Sequence, residues 1–373
     1  MRILIIAIIT AVFFTACSPT EKKTVDPIVA SIDSVMQAVV DTAQFNGNVL
    51  VARNGEIVYQ KSFGVTNYYT GEKLNDSSLF ELASVSKAFT AMAIMMLKER
   101  RKLSYDDDVT KYLPELPYKG MTIRHFLTHT SGIPEYGDVM MNDGWDRKKI
   151  AYNDDIIMSF KRQKPPVVFQ PGEKWEYCNT GYAMLATIIE RVSGKTYSEF
   201  LSENIFTPLD MTRTRVYNTR RKGEVIDNYA YGFVYSDSLE KFVLPDSLKE
   251  YFYVHTLDGI QGDGIVNSTT GDLFKWDQAL YNESLVSKPS LEEAFTSGKL
   301  NNDSLHNYGF GWFLENDPVH GKVVRHSGGW PGYRTNLNRY VDHGDCIIIL
   351  TNNDGKGRPT ALKEIGVRLG RYR

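Results

Sequence analysis

β-Rich stretches near both ends of the chain constrain its topology more than any other feature of the sequence. In residues 47–64, two β-rich runs flank Asn54-Gly55, the strongest short-range signal of a β-hairpin. Strand patterns return at residues 322–325, 335–341 and 346–350, whereas helical patterns prevail between the two ends. We therefore predict an α/β (α+β) fold in which both chain ends build one antiparallel sheet, flanked by helices, with a mostly helical region inserted.

The same pattern sets the predicted domain boundaries. Residues 27–373 form the folded domain, with a sheet part at 27–82 and from about 255 to 373, and a helical part from about 83 to 254. We expect a cleft where the two parts meet, because ligand sites concentrate at such junctions. Residues 18–26 are polar and contain proline, so we interpret them as a tether.

The first 17 residues have the pattern of a secretory signal peptide. Arg2 precedes an apolar run at residues 3–14, and small residues follow. The ending "FTAC" resembles the lipobox of bacterial lipoproteins, although Phe14 stands where leucine is usual. This resemblance implies that Cys17 carries a lipid, so that the mature protein is an exported lipoprotein of the cell envelope, periplasmic or surface-exposed. The alternative is a plain signal peptide with an incidental cysteine.

Charge and cysteine usage argue against several other classes of protein. The formal net charge of −2 gives no indication of the basic face that a nucleic-acid partner would need. No other segment reaches the roughly 18 apolar residues of a membrane-spanning helix. Apart from Cys17 the chain has only Cys178 and Cys346, too few for a disulfide framework and without zinc-ligand spacing. We therefore expect no bound metal.

A predicted amphipathic helix from Ser84 to about Arg101 carries the first candidate for chemistry. Ser84 and Lys87 stand three residues apart and so share one face of a helix. A serine hydroxyl needs a base, and a lysine can serve as one when burial disfavours its charge. Ser86 points elsewhere and has no lysine three residues later. The alternative is that Ser84 caps the helix and Lys87 is solvated.

Two later motifs favour the catalytic interpretation. Tyr177-Cys178-Asn179 stands just before a predicted helix, and His326-Ser327-Gly328 ends a predicted strand. Y-x-N and H-x-G each occur once, and they follow the S-x-x-K of Ser84 and Lys87 in this order. The chain therefore resembles the serine β-lactamase and penicillin-binding-protein superfamily, in its class C β-lactamase-like branch with DD-carboxypeptidases and esterases. The resemblance covers roughly residues 27–370, including "HTSGIPEY" and "GDGIVNS".

The resemblance implies catalytic roles for three residues. Ser84 attacks the substrate and becomes acylated, while Lys87 and Tyr177 share the work of the general base. Tyr177 passes the proton to the leaving group. An unperturbed tyrosine titrates near pH 10, so a tyrosine that acts as a base needs neighbouring cations; the candidates are Lys87 and a protonated His326.

The same resemblance implies a substrate-binding wall. Asn179 hydrogen-bonds the substrate amide and Lys87, and His326, Ser327 and Gly328 line the wall opposite. The backbone N–H groups of Ser84 and Gly329 form the oxyanion hole. No cofactor is implied.

One residue departs from the class C pattern. His326 stands where those enzymes have lysine, and a histidine is only partly charged at neutral pH. Whether His326 acts as a cation stays open. A cationic His326 that binds a substrate carboxylate would weaken substrate binding as the pH rises through about 6.5. His125 and His129, in "RHFLTHTSG", are interpreted as structural.

The leading functional hypothesis is a serine hydrolase that cleaves an amide or ester through an acyl-Ser84 intermediate. Its expected substrates are D-amino-acid peptides such as peptidoglycan fragments, or β-lactam-like compounds, and we expect a monomer. One alternative is a small-ester carboxylesterase on the same fold, and another is a non-catalytic penicillin-binding sensor. The absence of a G-x-S-x-G stretch argues strongly against a third alternative, an α/β-hydrolase.

Overall fold

The computed structural model describes residues 26–217 and 224–371 of the chain. The predicted signal peptide with Cys17, and the tether up to residue 25, lie outside these ranges. The strands, in chain order, are β1 Gly47–Arg53, β2 Glu56–Phe63, β3 Phe80–Glu81, β4 Val234–Ser236, β5 Lys241–Val243, β6 Asn267–Ser268, β7 Gly298–Lys299, β8 Leu305–His306, β9 Phe313–Asp317, β10 Gly321–Trp330, β11 Tyr333–Tyr340 and β12 Asp345–Thr351.

Six of these strands form one sheet in the order β2-β1-β12-β11-β10-β9. The pairs are antiparallel, and the first strand of the chain lies beside the last, with Val49 opposite Ile349. The prediction that both chain ends build one antiparallel sheet is thus confirmed. The hairpin turn is the predicted one, since Asn54 and Gly55 take φ values of 52° and 77°, as a two-residue type I′ turn requires.

Helices cover both faces of this sheet. In chain order they are α1 Pro27–Ala43, α2 Lys87–Glu99, α3 Ile123–Leu127, α4 Tyr136–Asn142, α5 Asn153–Gln163, α6 Asn179–Ser193, α7 Tyr197–Leu201, α8 Tyr253–Thr256, α9 Thr270–Ala279, α10 Lys288–Ala294 and α11 Gly357–Arg371. Helices α1 and α11 pack against one face through a core that includes Ile32, Ile349 and Ile365. The larger core lies on the other face, around α2 and α6. Within the described residues, no helix combines the length and apolarity that crossing a membrane requires.

Helix α2 differs from the predicted amphipathic helix in two ways. Every residue from Lys87 to Leu97 is buried, so the helix is packed on all sides. The α-helix also begins at Lys87, after a separate 3₁₀ turn at Ala83–Ser86. The prediction failed because polar residues at the start of the helix, such as Ser86 and Lys87, are buried and do not face solvent.

Strand β10 is longer than predicted. The sequence Ser327-Gly328-Gly329 suggested a strand end, since glycine is unfavourable in strands, yet β10 continues through it to Trp330. The reason is packing: a Cβ atom on Gly328 would lie 2.1 Å from the carbonyl oxygen of Leu82. Only glycine lets the strand approach the turn that carries Ser84 this closely.

Candidate active site

The turn at Ala83–Ser86 presents Ser84 to a cavity and buries Ser86. Ala83 takes a left-handed conformation, with φ of 49°, which is uncommon for a residue other than glycine and is often found at functional sites. Ser84 lines the cavity, whereas the hydroxyl of Ser86 accepts a hydrogen bond from the Val266 N–H at 3.1 Å. The structure therefore offers Ser84 as the accessible hydroxyl.

Lys87 is fully buried directly beside Ser84. Its Nζ lies 3.2 Å from Ser84 Oγ and donates to Asn179 Oδ1 and to the carbonyl oxygen of Asp263, both at 2.8 Å. Two N–H bonds of Nζ are directed at these two acceptors, and the third bonding position of the nitrogen faces the Ser84 hydroxyl. An ammonium would donate there, and a free amine would present its lone pair to the Ser84 hydroxyl. This geometry suits transfer of the serine proton.

Tyr177 lies next to Lys87 in an aromatic enclosure. The Lys87 Nζ is 5.0 Å from the centre of the Tyr177 ring. The centre of the His129 ring lies 4.2 Å from the centre of the Tyr177 ring. The Phe313 ring stacks on Tyr177 with 6.2 Å between the ring centres. Among the described residues the Tyr177 hydroxyl has no hydrogen-bond partner. A buried phenol without a hydrogen-bond partner can exchange a proton, which is the role that the family resemblance implies for Tyr177.

Asn179 begins α6 and joins Lys87 to a carboxylate that lies outside the three sequence motifs. Glu135 Oε1 accepts from the Asn179 N–H at 2.8 Å and from Asn179 Nδ2 at 3.2 Å. A second unexpected contributor is Asp263, whose Oδ2 accepts from the Tyr136 hydroxyl at 3.0 Å. Burial raises the pKa of both carboxyl groups. "HTSGIPEY" and "GDG" contained both acids, but nothing in their spacing indicated these contacts.

His326 does not extend its side chain into the cavity. The ring is 1% exposed, and its Nε2 lies 3.0 Å from the Tyr308 hydroxyl. Its Nδ1 donates to the Ser327 carbonyl at 2.8 Å, which leaves Nε2 to accept from the tyrosine. Burial, reinforced by Lys87, lowers the pKa of His326 to about 3. Both ring nitrogens are thus satisfied in the neutral form, which argues against a cationic role for His326 on Tyr177 or on a substrate carboxylate.

The rest of the H-S-G motif is divided between the two faces of the sheet. Ser327 lines a groove on the opposite face, beside Asn336 and Arg358, so its side chain is directed away from the cavity, and its contact with substrate stays a prediction. Gly329 lines the cavity together with Ser84, as the predicted oxyanion hole requires. Gly328 brings β10 against the serine turn, where the Thr335 hydroxyl also donates to the Leu82 carbonyl at 2.7 Å.

Strand β10 offers one open edge beside this cavity. It pairs with β11 along residues 323–330, but with β9 only along 321–325. Among the described strands, residues 326–330 thus have a partner on one side only. An extended backbone could add to such an edge through main-chain hydrogen bonds.

The cavity has a volume of about 140 Å³ and mixes acidic with apolar walls. Its described charged lining residues are all carboxylates, at Glu81, Asp258 and Asp263. The other lining residues are Ala83, Ser84, Tyr136, Asn179, Leu257, Ile260, Gly264, Ile265, Gly329 and Trp330. Within the described ranges, no group of three or more His, Cys, Asp and Glu side chains is arranged to hold a metal ion.

The chain matches a family of known proteins over nearly its whole length. Residues 32–370 match the family model described as Beta-lactamase. Among curated proteins, Penicillin-binding protein 4* of Bacillus subtilis (strain 168) is 49% identical over 324 residues, which span 87% of this chain and 71% of that protein.

Solved structures show the same fold at lower identity. A penicillin binding protein from Bacillus halodurans superimposes with a TM-score of 0.77 at 23% identity, covering 90% of this chain and 98% of that one. D-amino acid amidase from Ochrobactrum anthropi SV3, complexed with D-phenylalanine, superimposes with a TM-score of 0.75 at 22% identity, covering 93% of this chain and 100% of that one.

Proposed function

We propose, from the premise that this chain belongs to the beta-lactamase family and is a serine hydrolase, that it cleaves the amide bond of peptides that end in D-amino acids. The observation that carries the proposal is the contact of Lys87 Nζ with Ser84 Oγ at 3.2 Å, at the wall of a cavity beside the open edge of β10.

Acylation would begin with attack of Ser84 Oγ on the substrate carbonyl. As the new C–O bond forms, the serine proton passes to Lys87, whose other two N–H bonds are already committed to Asn179 and Asp263. The carbonyl oxygen becomes an oxyanion, and the backbone N–H groups of Ser84 and Gly329 would stabilise it. One such donor contributes on the order of 100- to 1,000-fold in rate.

Collapse of this intermediate would expel the leaving amine. The C–N bond breaks, and Tyr177 delivers the proton that the amine needs, with Lys87 replacing the proton on the phenol. Water then attacks the acyl-Ser84 ester and gives up its proton to the same pair of residues. The ester C–O bond breaks, the proton returns to Ser84 Oγ, and the acid is released. The closeness of Lys87 to the Tyr177 ring supports this exchange.

Support for D-amino-acid peptides comes from relatives and from the strand edge. The Bacillus subtilis relative is a penicillin-binding protein by name, and the amidase of the same fold was solved with a D-amino acid. Residues 326–330 of β10 can pair with an extended peptide and place its last amide beside Ser84. Proteins anchored in the cell envelope meet such peptides in peptidoglycan.

A second candidate is hydrolysis of small esters or amides that lack a terminal carboxylate. The observation in its favour is the charge of the cavity: its described charged residues are acidic, and His326 is neutral. No cationic side chain is among the described residues that line the cavity, so a free carboxylate on the leaving group finds no ion-pair partner in that lining, and a neutral ester or amide needs none.

We also propose that the protein is exported and anchored by a lipid on Cys17, on the strength of the "FTAC" pattern. Labelling of growing cells with an alkynyl fatty acid tests this. The full chain should incorporate the label, and Cys17→Ser should not. Equal incorporation by both would contradict the anchor.

An activity panel tests the proposed substrate. Purified protein is assayed on D-Ala-D-Ala peptides with free and amidated ends, p-nitrophenyl esters and nitrocefin, with Ser84→Ala as control. Turnover of the D-peptides that Ser84→Ala lacks supports the proposal. Turnover of esters alone favours the second candidate, and tight binding without turnover would indicate a non-catalytic sensor.

A further inference from the structure

One segment of the chain holds the whole Y-x-N motif through hydrogen bonds. The His129 carbonyl accepts from the Glu176 N–H at 3.0 Å, and His129 Nδ1 accepts from the Cys178 N–H at 3.2 Å. Farther along, the Pro134 carbonyl accepts from the Thr180 hydroxyl at 2.7 Å. Residues 129–136 thus fix the backbone on both sides of Tyr177 and Asn179.

Among the described contacts of residues 129–136 with the Y-x-N motif, Glu135 makes the one that involves a charged side chain. Its Oε1 accepts from both the backbone N–H and the Nδ2 of Asn179. A carboxylate can only accept, so the Asn179 amide must turn its NH₂ group toward Glu135 and its oxygen toward Lys87. The reverse orientation would set two oxygens against each other and two donors against each other. Glu135 thereby decides which face of Asn179 meets the lysine.

The consequence reaches the serine. With Asn179 in this orientation, Lys87 Nζ donates to Asn179 Oδ1 at 2.8 Å, and the third direction of the nitrogen faces Ser84 Oγ. Glu135 itself does not line the cavity, although its neighbour Tyr136 does. The described hydrogen bonds of the Glu135 carboxylate go to Asn179.

We propose that Glu135 is a positioning residue, which orients the amide of Asn179 and through it aims Lys87 at Ser84. The inference rests on the proposed function, since it assigns a task within the same acylation step. It names a residue outside the three motifs that carried the sequence prediction.

A purely structural role is the competing explanation. Asn179 is the first residue of α6, and a carboxylate at a helix N-terminus satisfies free N–H groups and interacts favourably with the helix dipole. Loss of that cap alone would lower stability without changing the reactivity of Ser84 in the folded protein. The two roles are separable because only positioning acts through the side chain of Asn179.

A double-mutant cycle on acylation separates them. The rate constant for labelling of Ser84 by a fluorophosphonate is measured for the wild type, Glu135→Gln, Asn179→Ala and the double variant, with melting curves for each. Such a probe has no peptide amide for Asn179 to bind, so the rate reports on the serine and lysine. Asp138→Asn is the matched control, because it removes an exposed charge three residues away.

We expect Glu135→Gln to slow labelling by about 10-fold, because a neutral hydrogen bond replaces a charge-assisted one and the glutamine can face Asn179 with either its oxygen or its NH₂ group. In the Asn179→Ala background the same change should have almost no further effect. Asp138→Asn should label at the wild-type rate. If Glu135→Gln does not fold, Glu135→Asp is carried through the same cycle.

Two results would overturn the inference while leaving the proposed function intact. One is unchanged labelling in Glu135→Gln, and the other is an equal loss in both backgrounds. Absence of Ser84 labelling in the wild type would instead overturn the proposed function and this inference with it.

Discussion

The imidazole of His326 lies 3.0 Å from the hydroxyl of Tyr308, and this pair is closed off from the cavity. The histidine receives a hydrogen bond at one nitrogen and donates from the other, so it is satisfied as a neutral ring. His326 therefore packs within the protein beside Tyr308 and presents no charge to the cavity.

The first prediction concerns the pH dependence of substrate binding. Because burial holds the pKa of His326 at about 3, the ring stays neutral from pH 5.5 to 8. The KM for a carboxylate-bearing substrate should therefore follow the same pH profile in the wild type and in His326→Gln. A rise of KM through pH 6.5 that vanishes in His326→Gln would show that the histidine is a cation after all.

The second prediction concerns acid stability. The folded pKa of His326 lies below the value of about 6.5 in the unfolded chain, so the unfolded state binds the extra proton between the two values. Stability should fall as the pH drops from 6 to 4, with a share of about 1.4 kcal/mol per pH unit from this residue. When the unfolding free energy is measured by urea at each pH, it should fall less steeply with decreasing pH in His326→Gln than in the wild type. Identical slopes would contradict the assigned burial.

The third prediction concerns Gly328. A Cβ at this position would collide with the Leu82 carbonyl and the Thr335 hydroxyl, at 2.1 and 2.2 Å. Gly328→Ala must therefore displace the turn that carries Ser84, and misplacement by about 1 Å can cost on the order of 100-fold in rate. We expect that loss in kcat/KM.

A matched glycine serves as its control. Gly137 lies in α4, and among the described residues a Cβ atom added there would meet no atom within 4 Å beyond its chain neighbours and the backbone of its own helix. Gly137→Ala should keep full activity and gain up to about 1 kcal/mol in stability. Wild-type activity in Gly328→Ala would show that the turn tolerates the shift.

The fourth prediction concerns a buried ion pair beneath the sheet. Arg339 Nε donates to Asp277 Oδ1 at 2.6 Å, and neither side chain is exposed. Burial raises the pKa of Asp277 although Arg339 acts in the opposite direction. Asp277→Asn should cost roughly 3–5 kcal/mol in unfolding free energy, because it leaves a buried guanidinium uncompensated.

An exposed pair provides the comparison. Glu292 lies 3.8 Å from Lys288 on the surface of α10, and Glu292→Gln should change stability by about 1 kcal/mol or less. Equal effects of the two substitutions, measured by urea unfolding, would contradict the difference in burial.

The sequence was sufficient for features that depend on local residue types. The Asn54-Gly55 turn follows from the positive φ that each residue tolerates, and Gly194 closes α6 with φ of 72° for the same reason. Ser84, Lys87 and Asn179 could be found because their residue types and order are those of a known family, and the structure brings them together.

Contacts that depend on the tertiary arrangement could not be predicted in this way. The Asp263 carbonyl that accepts a hydrogen bond from Lys87 is a backbone group, which any residue could supply. Glu135 is one acid among many until the chain folds it against Asn179. The side chain of Ser327 faces the groove on the other side of the sheet because alternate residues of a strand point to opposite faces. The continuation of β10 through Gly328 and Gly329 was not predicted from the sequence.

The central claim is that Ser84 is the nucleophile, and covalent labelling tests it most directly. The protein is treated with a fluorophosphonate or a fluorescent penicillin, its intact mass is measured, and the modified peptide is sequenced. We predict one adduct, on Ser84, and none on Ser84→Ala of equal thermal stability. Equal labelling of the wild type and Ser84→Ala, or an adduct on another residue, would contradict the claim.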